Sequence, residues 1–290
     1  MALKQSRLFS FLVIGILYLL AALLAIRIFR ETTGFGLVWR IFIADVSATL
    51  FIFLAGLILQ NASVYDPYWS VAPIVILTLL AIDLGTFSSG AIILLLVIWY
   101  WGVRLTANWA MTFSNLEHQD WRYDLLRSQS NRLYPLVSLA GIHLFPTLVV
   151  FMAIIPAVQY IQVGRITPIT VVGYVICLVA ATLQWVADYQ MHRHKKSRPD
   201  RHKIIDSGLW QYCRHPNYLG EIMMWWGVYV IMASVLPQRW YRLAGALANT
   251  LMFLFISIPM AEKRLEHNKH DYNEYASRTP MLLPVRKRLQ

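Results

Sequence analysis

Side chains able to do chemistry are gathered in a few short stretches. The densest is Asp206-Ser-Gly-Leu-Trp-Gln-Tyr-Cys-Arg-His-Pro-Asn-Tyr-Leu-Gly-Glu221, which runs from a basic loop straight into an apolar segment. Pro216 has the fixed φ of a first helical position, so a helix is expected to start there, with the backbone N–H groups of Asn217, Tyr218 and Leu219 pointing outward as donors. Arg214 and His215 beside them make this helix start an expected anion site. Asn217 adds an amide, and Glu221 lies four residues on along the same helical face. The same composition fits a simpler belt at headgroup level, with Arg214 and His215 facing lipid phosphate and the Trp and Tyr rings at the interface. Glu221 weighs against that reading, because an acid entering a membrane span is costly and usually functional.

A second cluster, Ala261-Glu-Lys-Arg-Leu-Glu-His-Asn-Lys-His-Asp-Tyr-Asn-Glu-Tyr275, alternates in sign as a solvated helix does. It leaves an apolar run on the same side as the first cluster and one helix away, so the two are expected to form one pocket. Two acids of the N-terminal half stand out: Asp45, inside an apolar run and expected to be a polar contact only, and Asp66 in Tyr65-Asp-Pro-Tyr-Trp69. Asp66 reads either as a helix cap followed by proline or as a poorly solvated acid that carries a proton or orients a tyrosine hydroxyl. The histidines His192, His194, His202, His215, His267 and His270 show neither a His-x-x-His-His nor a His-Glu-x-x-His string, so no metal is expected. The two cysteines, Cys177 and Cys213, are too few for a disulfide framework.

The elements that must position these groups are membrane helices. Apolar residues make up 58% of the 290 and charged ones only 14%, against about 25% charged in a soluble domain. With mean hydropathy of +0.50 as well, an ordinary soluble globule and a disordered chain are both excluded. A bilayer crossing needs about 20 apolar helical residues. Candidate runs are Leu8–Phe29, Ile41–Gln60, Val71–Leu84, Ala91–Ala110, Leu136–Ile161, Ile166–Ala187, Leu219–Leu236 and Leu243–Ala261. The expected fold is therefore an all-α polytopic bundle of seven or eight transmembrane helices, a single membrane domain. Val71–Leu84 is the weakest run, being short and bounded by Pro73 and Asp83. The first run, after Lys4 and Arg7, is expected to be a retained anchor. Net charge is +11, but its carriers sit mainly between and after the apolar runs, which points to anionic lipid and phosphorylated small molecules rather than nucleic acid. The segment Met191–Pro216 and the tail after Ala261 are the richest in Lys and Arg, so both are expected on the cytoplasmic side.

Taken together, Gly208–Glu221, Glu262-Lys-Arg264 and Asp271-Tyr-Asn-Glu-Tyr275 resemble the C-terminal half of the steroid 5α-reductase-like family, a pattern shared with sterol reductases and, more distantly, isoprenylcysteine carboxyl methyltransferases. The resemblance implies that Trp210, Arg214, His215, Asn217, Tyr218, Glu221, Glu262, Arg264, Tyr272 and Tyr275 close over an adenine-containing cofactor, with Asp188 as a cofactor-binding acid at a helix end. Tyr65–Pro73, Trp99–Leu105 and Gln119–Asp124 resemble further blocks of the bacterial reductase-like branch, which favours reduction over methyl transfer. Resemblance extends over roughly Asn61 to Pro284, with residues 61–130 implied on the substrate side and 188–290 on the cofactor side. Asp66 stands where the steroid enzymes carry a glutamate. Their partner tyrosine falls here at Trp101, so Tyr100 or Tyr68 is expected to supply the hydroxyl unless the substrate is no steroid enone.

The implied reaction reduces a carbon–carbon double bond conjugated to a ketone in a lipophilic, steroid-like or isoprenoid-like substrate, with NADPH as cofactor. Lys195, Arg198, Arg201 and Lys203 are the basic groups expected to meet its phosphates, since the Gly-x-Gly-x-x-Gly signature is absent. S-adenosylmethionine-dependent methyl transfer and non-catalytic lipid binding are the competing classes.

Overall fold

The computed structural model describes residues 2–197, 200 and 202–283, which divide into two compact units, Met1–Gln162 and Val163–Gln290. Among the described residues there are helices and turns and no strand.

The first unit opens with a short helix, α1 (Ala2–Gln5), and the long α2 (Arg7–Glu31), whose N-terminus is capped by Ser6. It continues through α3 (Leu37–Leu59), a 3-10 turn at Ala62–Tyr65, α4 (Tyr68–Leu84), α5 (Ser89–Thr112) and α6 (Trp121–Ser130). Then α7 (Tyr134–Val137) passes through a widened π-helical turn, Ser138–Leu144, into α8 (Phe145–Ile161). Side-chain caps at Ser88 and Asp120 start α5 and α6, and Gly85 at φ 61° ends α4. The core is apolar and includes Ile52, Leu77, Leu94, Ile98, Trp101 and Ile154, whereas Leu8, Leu12, Ile16, Leu19 and Leu23 leave one side of α2 exposed and apolar. An uncovered apolar surface of this kind is what lipid would meet.

The second unit is built on an antiparallel pair, α9 (Pro168–Ser197) and α10 (Pro216–Ala233), followed by a 3-10 turn at Pro237–Leu243, α11 (Ala244–Met252), a π-helical turn at Phe253–Ser257, α12 (Ile258–Asn268) and α13 (Tyr272–Arg278). Small residues let α9 and α10 approach closely, as in membrane helix pairs generally. A Cβ on Gly227 would lie 2.5 Å from Cys177 Sγ and 3.1 Å from Cys177 N. Gly227→Leu is therefore expected to cost at least about 1–3 kcal/mol by overpacking, read as a lowered melting temperature in detergent. Gly15→Ala, at a glycine with open space around it, should leave melting unchanged or raise it slightly. Equal melting of Gly227→Leu and wild type would disprove the close packing.

Seven helical segments among the described residues are long and apolar enough to cross a membrane: Arg7–Glu31, Leu37–Leu59, Ala62–Leu84, Ser89–Thr112, Trp121–Ile161, Pro168–Ser197 and Pro237–Asn268. The run Val71–Leu84, weakest by sequence, is lengthened at its start by the 3-10 turn, and Pro73 sits inside α4 without ending it. The run Leu219–Leu236 belongs mostly to α10, which is not among the seven; its 18 residues carry Asn217 and Glu221 and four Trp or Tyr.

Candidate functional site

In the first unit the chemistry-bearing side chains meet around the 3-10 turn. Asn61 braces it: Oδ1 accepts from Ser63 N at 2.8 Å, while Nδ2 donates to the carbonyls of Leu116 (2.7 Å) and His118 (3.1 Å). Ser63 Oγ accepts from Asp120 N at 2.8 Å, which ties the turn to the start of α6. These contacts bring Tyr123 of α6 to Asp66, whose Oδ1 accepts from the Tyr123 hydroxyl at 2.6 Å. Two blocks singled out in the sequence thus touch. Asp66 does not cap α4; Pro67 holds the cap position with no side-chain hydrogen bond.

Tyr68, two residues on, turns elsewhere. Its hydroxyl donates to Asp45 Oδ1 at 2.7 Å, and its ring stacks on Tyr65 with centroids 5.2 Å apart. The Tyr65 hydroxyl pairs with Thr147 Oγ1 at 2.8 Å, and Thr147 in turn with Thr49 at 2.9 Å. Asp45 and Tyr68 line a largely apolar cleft of about 210 Å³ between α2, α3 and α4, bordered by Tyr18, by alanines that include Ala21, Ala25, Ala48 and Ala72, and by the exposed Arg30 and Asp83. Asp66 and Tyr123 do not line it. So Asp45, expected as a polar contact without a named partner, is half of a carboxyl–phenol pair, and the hydroxyl on Asp66 comes from Tyr123 rather than Tyr68 or Tyr100. Tyr100 is half-buried on α5, next to the fully buried Trp101. Tyr123 falls inside the Gln119–Asp124 block but is not among the expected site residues, because no sequence spacing aims its ring at Asp66.

In the second unit the Gly208–Glu221 stretch is clasped by the tail. Arg214 Nε donates to Glu262 Oε1 at 2.8 Å, and Nη1 donates to the carbonyls of Ala276 and Thr279, each at 2.9 Å. His215 Nε2 lies 3.1 Å from the same Glu262 oxygen, and the His215 ring stacks on Tyr218 at 5.3 Å. Tyr275 donates to the Trp210 carbonyl at 2.5 Å, while Trp210 Nε1 donates to the Ala187 carbonyl at 3.2 Å. Burial, reinforced by the Glu262 carboxylate, pushes the Tyr272 phenol up to about 12. The two sequence clusters are thus brought together, but as a structural clasp. The guanidinium expected to face a phosphate is spent on Glu262 and two carbonyls.

The α10 start differs from expectation in the same way. Tyr218 N donates to Asn217 Oδ1 at 3.1 Å and Leu219 N to the His215 carbonyl at 2.9 Å, so two of the three expected outward donors are used within the turn. Glu221 is buried, and its Oε1 accepts from Trp225 Nε1 at 2.9 Å. Of the expected phosphate-binding groups, Lys195 and Lys203 are exposed, and the charges of Lys269, Arg264 and the half-buried Asp188 act on Lys195. Lys269 Nζ also donates to the Lys203 carbonyl at 3.2 Å. Arg198 and Arg201 lie outside the described residues.

No curated protein and no solved structure matches the sequence. Residues 52–279, most of the chain, match the family described as proteins of unknown function (DUF1295), and the chain belongs to that family; the match takes in Asp66, Tyr68, Tyr123 and the Arg214–Glu262 clasp but not Asp45.

Proposed function

We propose that this multi-pass membrane protein is an NADPH-dependent reductase of a carbon–carbon double bond conjugated to a ketone in a lipophilic substrate. The observation that carries the reading is the Tyr68–Asp45 pair on the wall of an otherwise largely apolar cleft. Such a cleft suits a lipophile with a polar atom, and the pair is the buried polar point it would meet, Arg30 and Asp83 being exposed. When bound, NADPH supplies the hydride that adds to the β-carbon. Negative charge then develops on the carbonyl oxygen, and a hydroxyl–carboxyl pair held in the cleft wall can stabilise it with a hydrogen bond. Either member can give that hydrogen bond: Tyr68 by turning its O–H from Asp45 to the ketone, Asp45 when it carries the proton. A proton taken up from water at the α-carbon completes the addition of one hydride and one proton across the double bond. Asp66 with Tyr123 forms a second carboxyl–phenol pair, and we assign it the positioning of the turn that leads into α4 and Tyr68.

The second unit fits a polyanion in part. Lys195, Arg264 and Lys269 are the groups that would hold the phosphates, on the side assigned to the cytoplasm, and Arg214 is not one of them. The test is thermal stabilisation of the purified protein in detergent. NADPH at 100 times its dissociation constant should add about 2.7 kcal/mol, S-adenosylmethionine nothing. Stabilisation by S-adenosylmethionine alone would replace reduction by methyl transfer, and no shift with either would leave a lipid-binding protein.

A further inference from the structure

A second cavity in the first unit, of about 480 Å³, lies against the last turn of α3 and the connection from α6 to α7. Four independent features converge on it. Gln60 (φ 57°) and Asn131 (φ 47°) are the positive-φ residues other than glycine among the described residues, and both line it. Backbone held in that region is strained, and such strain gathers at functional sites. The π-helical turn Ser138–Leu144 supplies another part of the wall, and these turns too are frequent at functional sites. His143 and Tyr134, only 1% and 7% exposed, also line the cavity, and His143 Nε2 and the Tyr134 hydroxyl have no hydrogen-bond partner. Two guanidinium groups, on Arg127 and Arg132, stand at the same cavity, and no carboxylate lines it.

The chemistry of these groups selects a ligand. His143 Nδ1 lies 2.9 Å from the Ser138 carbonyl and must donate to it, which leaves Nε2 of the neutral ring as an acceptor in need of a donor. A hydroxyl supplies one. Arg127 sits over the Tyr134 ring at 4.7 Å, and its guanidinium makes a long 3.4 Å contact to the Gln60 carbonyl. Arg132 has no ion pair or hydrogen bond among the described residues. Two unneutralised guanidinium forks lining one cavity are suited to phosphate oxygens. Phe53, Leu57 and Pro135 add apolar wall, and the end of α3 is where a span meets the headgroup layer. We propose that this cavity binds a phosphate ester carrying a free hydroxyl, supplied as the headgroup of an anionic phospholipid: phosphate on Arg127 and Arg132, hydroxyl on His143 Nε2 and Tyr134. The site needs no reductase activity.

The full-length protein in detergent is titrated with dihexanoyl phosphatidylglycerol, which has the phosphate and free hydroxyls, and with dihexanoyl phosphatidylcholine, which has the phosphate but neither hydroxyl nor net charge. Saturable binding and a raised melting temperature are expected with the first and not the second. Arg127→Gln with Arg132→Gln should weaken binding about tenfold or more, as loss of charge-assisted hydrogen bonds does. His143→Phe should weaken it while the ligand-free protein melts close to wild type, since loss of the Nδ1 bond to Ser138 is offset by removal of an unpaired buried nitrogen. Should the arginine variants fail to fold, Asn131→Gly relieves the strained position and provides a second reading: higher melting with binding retained. Glycerol 3-phosphate binding as tightly as the lipid would keep the site and make its source soluble. Equal binding of phosphatidylcholine, displacement of the lipid by NADPH, or no binding of any probe would each overturn the proposal.

Discussion

Replacing Tyr68 by phenylalanine is expected to cut enone-reduction turnover about 10²–10³-fold, the usual loss when one donor to a developing oxyanion is removed. NADPH binding should be unchanged, because the basic groups assigned to its phosphates belong to other helices. Asp45→Asn keeps an acceptor for the Tyr68 hydroxyl but can no longer carry an acidic proton, so it should retain more activity than Tyr68→Phe. The comparison that decides is with the other pair. Asp66→Asn and Tyr123→Phe disturb a hydrogen bond of 2.6 Å that does not face the cleft, and should lower melting more than turnover. If turnover instead collapses in these two and survives in Tyr68→Phe, the oxygen-binding chemistry belongs to Asp66 and Tyr123. If all four variants reduce normally, the reductase mechanism is wrong.

The second large effect is on stability. Arg214→Ala leaves Glu262 without its guanidinium and the carbonyls of Ala276 and Thr279 without a donor, in a pair whose side chains are 12% and 22% exposed. Breaking such a pair is expected to cost about 3 kcal/mol. Cys213 reports it directly. Its Sγ donates to the Met281 carbonyl at 3.5 Å, and burial pushes the thiol above its ordinary pKa, so in the folded protein it should alkylate slowly at neutral pH. In a Cys177→Ala background, Arg214→Ala should speed that labelling as the tail loosens, and Arg214→Lys should restore it only in part, because an ammonium lacks the planar fork. Unchanged labelling and melting, with NADPH affinity lost, would return Arg214 to the phosphate contact expected from its motif.

How far each site could be read from sequence follows from how far apart its partners lie. The clasp joins residues 48 positions apart, Tyr68 and Asp45 are 23 apart, and Tyr123 and Asp66 are 57 apart. Motif resemblance pointed to Arg214, Glu262, Asp66, Tyr68 and the Gln119–Asp124 block, but not to which side chain takes which. Local chemistry explains two further differences: the Asn217 amide and the His215 carbonyl satisfy N–H groups that a proline-started helix would otherwise present, and Pro67 displaces Asp66 from the cap position.

The sequence by itself determined that the chain is a bundle of membrane-crossing helices and roughly where each begins and ends. Both follow from apolar runs about 20 residues long, and that is a local property. It also located the polar clusters, because charge and amide groups are conspicuous against an apolar background. Only the tertiary structure decided which way each helix is turned. In a soluble helix an apolar stripe against a polar face shows which side is buried. Here the lipid-facing side of α2 is as apolar as its packed side, so the pattern carries no such signal. Helix rotation, and with it the pairing of Tyr68 with Asp45 and of Asp66 with Tyr123, is set by packing between helices and by the hydrogen bonds that brace the turn at Ala62–Tyr65.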